Sequence, residues 1–146
     1  MKIIGMILLT IFLGKGCSNE AQNDIKNAVI QYSSQTRGFH LKIIVNDQKA
    51  TISRGRTPET MTQNQIKISD SDWKELIALF EKTNLEAFPD LKDPTQKRFY
   101  DGAAIAGLKV RYQDKNYETK NFDHGNPPVE IENLVNKIVA LADEKE

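Results

Sequence analysis

The sequence predicts an α+β fold, an antiparallel sheet of about five strands with two helices packed on one of its faces. Three observations point there. Several segments alternate apolar and polar residues with a period of two, as half-buried strands do. Two segments instead place apolar residues at i, i+3, i+4 and i+7, the stripe of a helix that covers a sheet. The strand-like segments are separated by short turn-forming clusters, so consecutive strands can pair as neighbours in an antiparallel meander. The 146 residues, 39% apolar and 27% charged with 8 Gly and 5 Pro, suffice for one globular domain.

The elements follow in order. Val29 to Ser34 is rich in β-formers, and Phe39, Leu41, Ile43 and Val45 alternate with mostly polar neighbours across Thr36-Arg37-Gly38. After the turn candidate Asn46-Asp47-Gln48-Lys49, Ala50 to Arg54 returns as a third strand, which Arg54-Gly55-Arg56-Thr57-Pro58 ends. Glu59 to Gln65 is polar, and Ile66-Lys67-Ile68 makes a short edge strand. Ser69-Asp70-Ser71-Asp72 supplies helix N-caps, and Trp73, Leu76, Ile77 and Phe80 form the apolar stripe of the first helix, which Thr83-Asn84 stops. Trp73, at the head of that stripe, reads as a core residue.

The stretch from Pro89 to Tyr100 is the longest irregular connection, closed by the turn signature Asp101-Gly102. Ala104 to Tyr112 and Tyr117 to Phe122 are the last two strands, joined by Gln113 to Asn116. Asn126 and Pro127 open the second helix as cap and first helical residue, with Ile131, Leu134, Val135, Ile138 and Leu141 as its stripe.

The N-terminal segment reads differently. One positive charge at Lys2 precedes the apolar run Ile3 to Leu13, which is interrupted only by Gly5 and Thr10 and is too short for a bilayer span of about 20 residues. Small residues follow, as in an export signal. The sole cysteine, Cys17, stands directly after it in Leu13-Gly14-Lys15-Gly16-Cys17. Gly16-Cys17 resembles the end of the lipobox of bacterial lipoproteins, whose cysteine sulfur takes a diacylglyceryl group and whose amine is freed by cleavage and acylated. Lys15 is unusual for that pattern, and Leu13 lies one place further from the cysteine than the pattern favours. The resemblance implies a signal peptide over 1–16 and a lipid attachment site at Cys17, with acyl chains such as palmitate holding the protein to a membrane of the bacterial cell envelope. The polar residues that follow, to about position 27, read as a tether, and 28–146 as the single folded domain.

Charge narrows the partners. Lys plus Arg equals Asp plus Glu at 20 each, and Lys2 and Lys15 lie in the N-terminal segment, so the remainder carries 18 minus 20, or −2. No single element carries a cluster of Lys and Arg, which argues against nucleic acid as a partner.

Candidate chemistry lies in two segments, Arg98-Phe99-Tyr100-Asp101-Gly102 and Phe122-Asp123-His124-Gly125-Asn126, with Arg54 and Arg56 as companions. Should the two loops meet, Asp101, Asp123 and His124 supply the residue types of an acid/base pair, hence a small hydrolase, or of an incomplete metal site. Turn chemistry accounts for the same residues: Asp101-Gly102 as a turn, Asp123 bonding backbone N–H groups ahead of the helix, and His124-Gly125 in a loop needing positive φ. Arg98 near Tyr100, and Arg54 near Arg56, are residue types for an anion-recognising or protein-binding patch, and a solvated strand face or a salt bridge to Asp101 is the plainer expectation. No metal-ligand motif, phosphate-binding loop or nucleophile motif occurs, and His40 and His124 are the only histidines, so neither a cofactor nor a catalytic residue is expected.

The order of elements, with the Gly-containing turn Arg37-Gly38-Phe39 between the first strands, an acidic-capped helix and a C-terminal helix, resembles small bacterial envelope domains and the emfourin-type inhibitors of thermolysin-like metalloproteases. That resemblance is of architecture and carries over no inhibitory residue. The reading is therefore a lipid-anchored, non-catalytic binding module of the cell envelope with a protein or an envelope polymer as partner, and a protease inhibitor as its narrower form. The residues expected to form its contact loop are Arg98, Tyr100, Asp101, Asp123 and His124.

Overall fold

In a computed structural model, which describes residues 25–143, seven strands form one antiparallel sheet and two helices lie on it. The strands are β1 (Val29–Thr36), β2 (Phe39–Asn46), β3 (Lys49–Gly55), β4 (Thr62–Lys67), β5 (Ile105–Tyr112), β6 (Lys115–Glu118) and β7 (Phe122–Asp123). Their spatial order is β4-β3-β2-β1-β5-β6, with β7 also pairing β5. The first strand thus lies inside the sheet, where β1 pairs β2 on one side and β5 on the other.

Alternation decides which face is covered. Ile30 and Tyr32 of β1, Leu41, Ile43 and Val45 of β2, Ala50 and Ile52 of β3, Ile66 of β4, and Ala106, Leu108 and Val110 of β5 are all buried on one side of the sheet. Helix α1 (Asp70–Glu81) adds Trp73, Leu76, Ile77 and Phe80 to that core, and α2 (Glu132–Asp143) adds Leu134, Val135, Ile138 and Leu141. Trp73 is a core residue, as its place in the stripe predicts. The Ser69 hydroxyl accepts from the Asp72 backbone N–H and so caps α1. Ile25, within the stretch expected as tether, is buried in the same core, so the folded unit takes it in.

The sheet is larger than the expected five strands because one expected strand is two, and its edge strand is longer than expected. The polar run Thr62 to Gln65 joins Ile66 and Lys67 in one edge strand whose first four side chains are exposed, so it has no apolar face to betray it. The segment expected as one strand over Tyr117 to Phe122 is two short ones, because Thr119 leaves the ladder and turns its hydroxyl onto the Leu108 backbone N–H.

Two further expectations change. The second helix begins at Glu132 and not at Pro127: a 3₁₀ turn, Val129–Ile131, precedes it. The long connection holds two more 3₁₀ turns, Leu85–Asp90, which buries Phe88, and Lys97–Tyr100. The tight hairpins β2–β3 and β5–β6 turn on Asp47-Gln48 and Gln113-Asp114, with all four residues at positive φ as two-residue turns of the type I′ kind require. No helix among the described residues is long and apolar enough to cross a membrane.

Candidate functional site

The site grows from the end of the sheet where β1 finishes and β5 starts. Asp123 of β7 pairs with Ile105, and residues opposite one another in an antiparallel ladder share a face, so its side chain leaves on the side away from the helices. There the connection preceding β5 folds over it, and Asp123 is fully buried. A buried carboxylate is tolerable only when its oxygens are bonded and its charge is paired. Both conditions are met: the Thr95 hydroxyl (2.6 Å) and the Lys97 backbone N–H (2.7 Å) donate to one oxygen, and the Arg98 backbone N–H and guanidinium (both 3.1 Å) to the other. Burial alone would raise the carboxyl's pKa, but these four donors outweigh it and bring the value down to about 2. The carboxylate is ionised throughout the physiological range.

Arg98 completes the cluster. Its guanidinium donates to Asp93 at 2.7 Å and to the Thr95 carbonyl at 3.3 Å while holding Asp123, and its side chain is almost wholly enclosed. Burial opposes its charge, and the two carboxylates overcome that and raise its pKa further. The expected pair with Asp101 is not the one made, because the turn carries Asp101 outward to an exposed, left-handed position at φ +59°. Gly102 follows it where a Cβ would sit 3.1 Å from the Lys97 side chain and carbonyl, so the turn closes tightly on itself.

Asp123 therefore bonds backbone N–H groups, as turn chemistry predicts, but those of the preceding connection and not those of the helix ahead. What it pins is a single 3₁₀ turn, whose next two side chains stand in solvent. Phe99 is 69% and Tyr100 74% exposed, and the Arg98 guanidinium lies over the Phe99 ring, 4.5 Å from its centre.

His124 goes elsewhere. Its Nδ1 is 2.6 Å from the Tyr32 hydroxyl, and its ring packs between Tyr32 and Phe39 on the helical side of the sheet. Burial lowers its pKa, with Asp143 opposing weakly, and burial raises that of Tyr32, with Ser34 opposing, so the pair is neutral. Gly125 beside it has φ +89°, the conformation that only glycine adopts at no cost.

Asp101, Asp123 and His124 thus do not converge: one is in water, one is consumed by four donors, and one is a partner of Tyr32. Arg54 is occupied too, donating to the Ala142 carbonyl and Asp143 at the end of α2, while Arg56 is exposed. Among the described residues no group of His, Cys, Asp and Glu is placed to hold a metal ion. Cys17 lies outside the described residues. Compared with known protein families and with curated proteins, the chain matches neither. Phe99 is the residue that the sequence reading passed over. The signal for it was present, an Arg-Phe-Tyr run in a long polar connection with no periodicity to bury it.

Proposed function

We propose that the protein is a lipid-anchored binding module of the bacterial cell envelope, without catalytic activity, and that the turn Lys97–Tyr100 is its contact surface. One observation carries the reading: two large aromatic side chains stand side by side in water on a turn whose backbone is fixed by a buried ion pair. Covering a Phe or Tyr ring is worth about 1.5–3 kcal/mol. Fixing the backbone beforehand removes part of the ordering cost of association. An isolated mobile loop would gain less from the same rings.

The position of the turn fits an anchored protein. Ile25 lies at the start of β1 and the turn at its finish, so the eight residues of β1 separate them by roughly 23 Å. A lipid on Cys17 would hold the first end near the bilayer and leave the second accessible. The hydrolase alternative has no such support, since its three residues occupy three different environments.

The test is an affinity capture from solubilised envelopes with the tagged chain, comparing wild type with Phe99→Ala/Tyr100→Ala, and with intact mass measured on the same preparation. The reading expects a partner retained by wild type and reduced at least tenfold by the double variant, and a mass showing loss of residues 1–16 with gain of acyl chains. Equal retention by the double variant would remove the turn as contact surface; an unacylated mass would remove the anchor.

A further inference from the structure

Basic residues that are scattered along the chain are gathered by the sheet. On the face turned away from the helices, strand register places Lys67 of β4 opposite Lys49 of β3, Lys42 on β2, and Lys109 and Arg111 two residues apart on β5. Each is flanked in sequence by a buried core residue, which fixes its direction: Leu41 and Ile43 around Lys42, Ala50 after Lys49, Ile66 and Ile68 around Lys67, Leu108 and Val110 around Lys109. Glu118 of β6, paired with Lys109 at 3.4 Å, is the sole carboxylate these strands expose on that face among the described residues.

The opposite layer has the opposite sign. Helices α1 and α2 carry Asp70, Asp72, Glu75, Glu81, Glu132 and Asp143 against Lys74 and Lys137, and Lys137 is itself engaged by Asp72 and Glu75. A domain of near-zero net charge is therefore polarised across its thickness, positive on the sheet and negative on the helices.

We propose that the open sheet face docks on the anionic headgroups of a membrane surface. The occupant follows from shape as well as sign. Five inter-strand steps of about 4.8 Å make a face roughly 24 Å wide, and the cations lie at both sides of it and in its middle. A planar array of phosphates satisfies such a spread, whereas a single polymer strand would reach only part of it. Gln31, Ser33, Thr51 and Ser53 on the same face carry side chains able to donate hydrogen bonds. Within the strands of this face His40 is the one aromatic ring among the described residues. Lys49, Lys67 and Arg111 lie at the end of the face where β1 begins, beside the point at which residues 18–24 would connect it to Cys17. Acidic helices turned away from an anionic bilayer complete the fit.

This orientation complements the anchored reading but is tested apart from it. The full chain carrying Cys17→Ala, and so unable to be acylated, is sedimented with vesicles of pure phosphatidylcholine and of phosphatidylcholine with phosphatidylglycerol. Lys42→Gln/Lys109→Gln/Arg111→Gln is compared with Lys74→Gln/Lys82→Gln/Lys92→Gln, which removes the same charge elsewhere, after thermal melts show both folded. At about 1 kcal/mol for each cation near the surface, the face variant should bind the anionic vesicles at least tenfold more weakly than wild type, with the control within about threefold of it. Equal weakening by both variants, or no preference of wild type for anionic over neutral vesicles, would overturn the proposal. Neither outcome touches the anchor, which the acylated mass of the Cys17 protein decides.

Discussion

Leu108 and Lys109 are neighbours on β5 and face opposite ways, and the two sides of the sheet differ as those residues do. On the helical side every strand contributes to one continuous apolar core. On the open side the strands present mainly cations, amides and hydroxyls, with Ile105 also exposed, and a shallow groove of about 450 Å³ between β1, β5 and β6 is lined by Gln31, Lys109, Arg111 and Asn116 among others. One face is specified by burial, the other is open to solvent. Asp123 is the exception that links them: it leaves the sheet on the open side, yet is as buried as any core residue because the preceding connection folds over it.

The largest expected effect is at that exception. Asp123→Ala takes the acceptor from the Thr95 hydroxyl and from two backbone N–H groups and leaves Arg98 with Asp93 as its one carboxylate, and breaking a buried pair of this kind costs about 3–5 kcal/mol. Denaturant unfolding should show it, and a loss under 1 kcal/mol would mean that the turn is held by something else. Leu108→Ala should cost about 2–5 kcal/mol by the same measurement. Its neighbour Lys109→Gln should stay within about 0.5 kcal/mol, since exposed substitutions on an unpaired face rarely exceed that. Similar losses at the two positions would dissolve the distinction between the faces.

Acid should act through two groups. The folded-state pKa of Asp123 lies below its unfolded value, so its contribution, about 2 kcal/mol by linkage, is complete above the ordinary carboxylate range and is lost as pH falls toward about 2. His124 is also lowered in the folded state, by burial, so the unfolded chain binds more protons just below pH 6.5 and stability declines as pH falls through that window. Thermal melts from pH 7 to pH 2 should show both losses, the one in the carboxylate range much reduced in Asp123→Asn. Smaller than the loss at Asp123 is that of Tyr32→Phe, which removes the hydroxyl from the His124 ring and should cost about 1–1.5 kcal/mol, with the shallow decline below pH 6.5 altered in parallel.

Much of this was legible beforehand, and the reason lies in periodicity. The stripes Trp73-Leu76-Ile77-Phe80 and Leu134-Val135-Ile138-Leu141 and the alternation along Phe39 to Val45 report burial directly, so the covered face, both helices and the core place of Trp73 could be read. Thr62 to Gln65 could not, because an edge strand with exposed side chains has no apolar signal. The start of α2 was misplaced because Asn126 and Pro127 resemble a helix opening, while Asn126 is bridged to Asp123 and the chain needs a further 3₁₀ turn.

The site was half legible. The two segments carrying Arg98, Tyr100, Asp101, Asp123 and His124 are indeed where the unusual contacts lie, but their partners are set by tertiary structure. Asp123 and His124 are adjacent in sequence and diverge to opposite sides, and Arg98 chose Asp93 and Asp123 over the nearer Asp101 because the turn points Asp101 to water. The basic face illustrates the limit more sharply. Its cations come from β2, β3, β4 and β5, none of them clustered in sequence, and only the register brings them together.

The central claim is that Asp123 serves as a pin for the aromatic turn and not as an acid or base, and hydrogen exchange at two amides tests it most directly. In wild type the backbone N–H groups of Lys97 and Arg98, both donating to the buried carboxylate, should exchange slowly, close to the rate set by global unfolding. In Asp123→Ala they should exchange faster by at least tenfold beyond what the loss of global stability explains. Fast exchange of both amides in the wild-type protein would contradict the account, because the turn would then be mobile and its exposed rings without a fixed support.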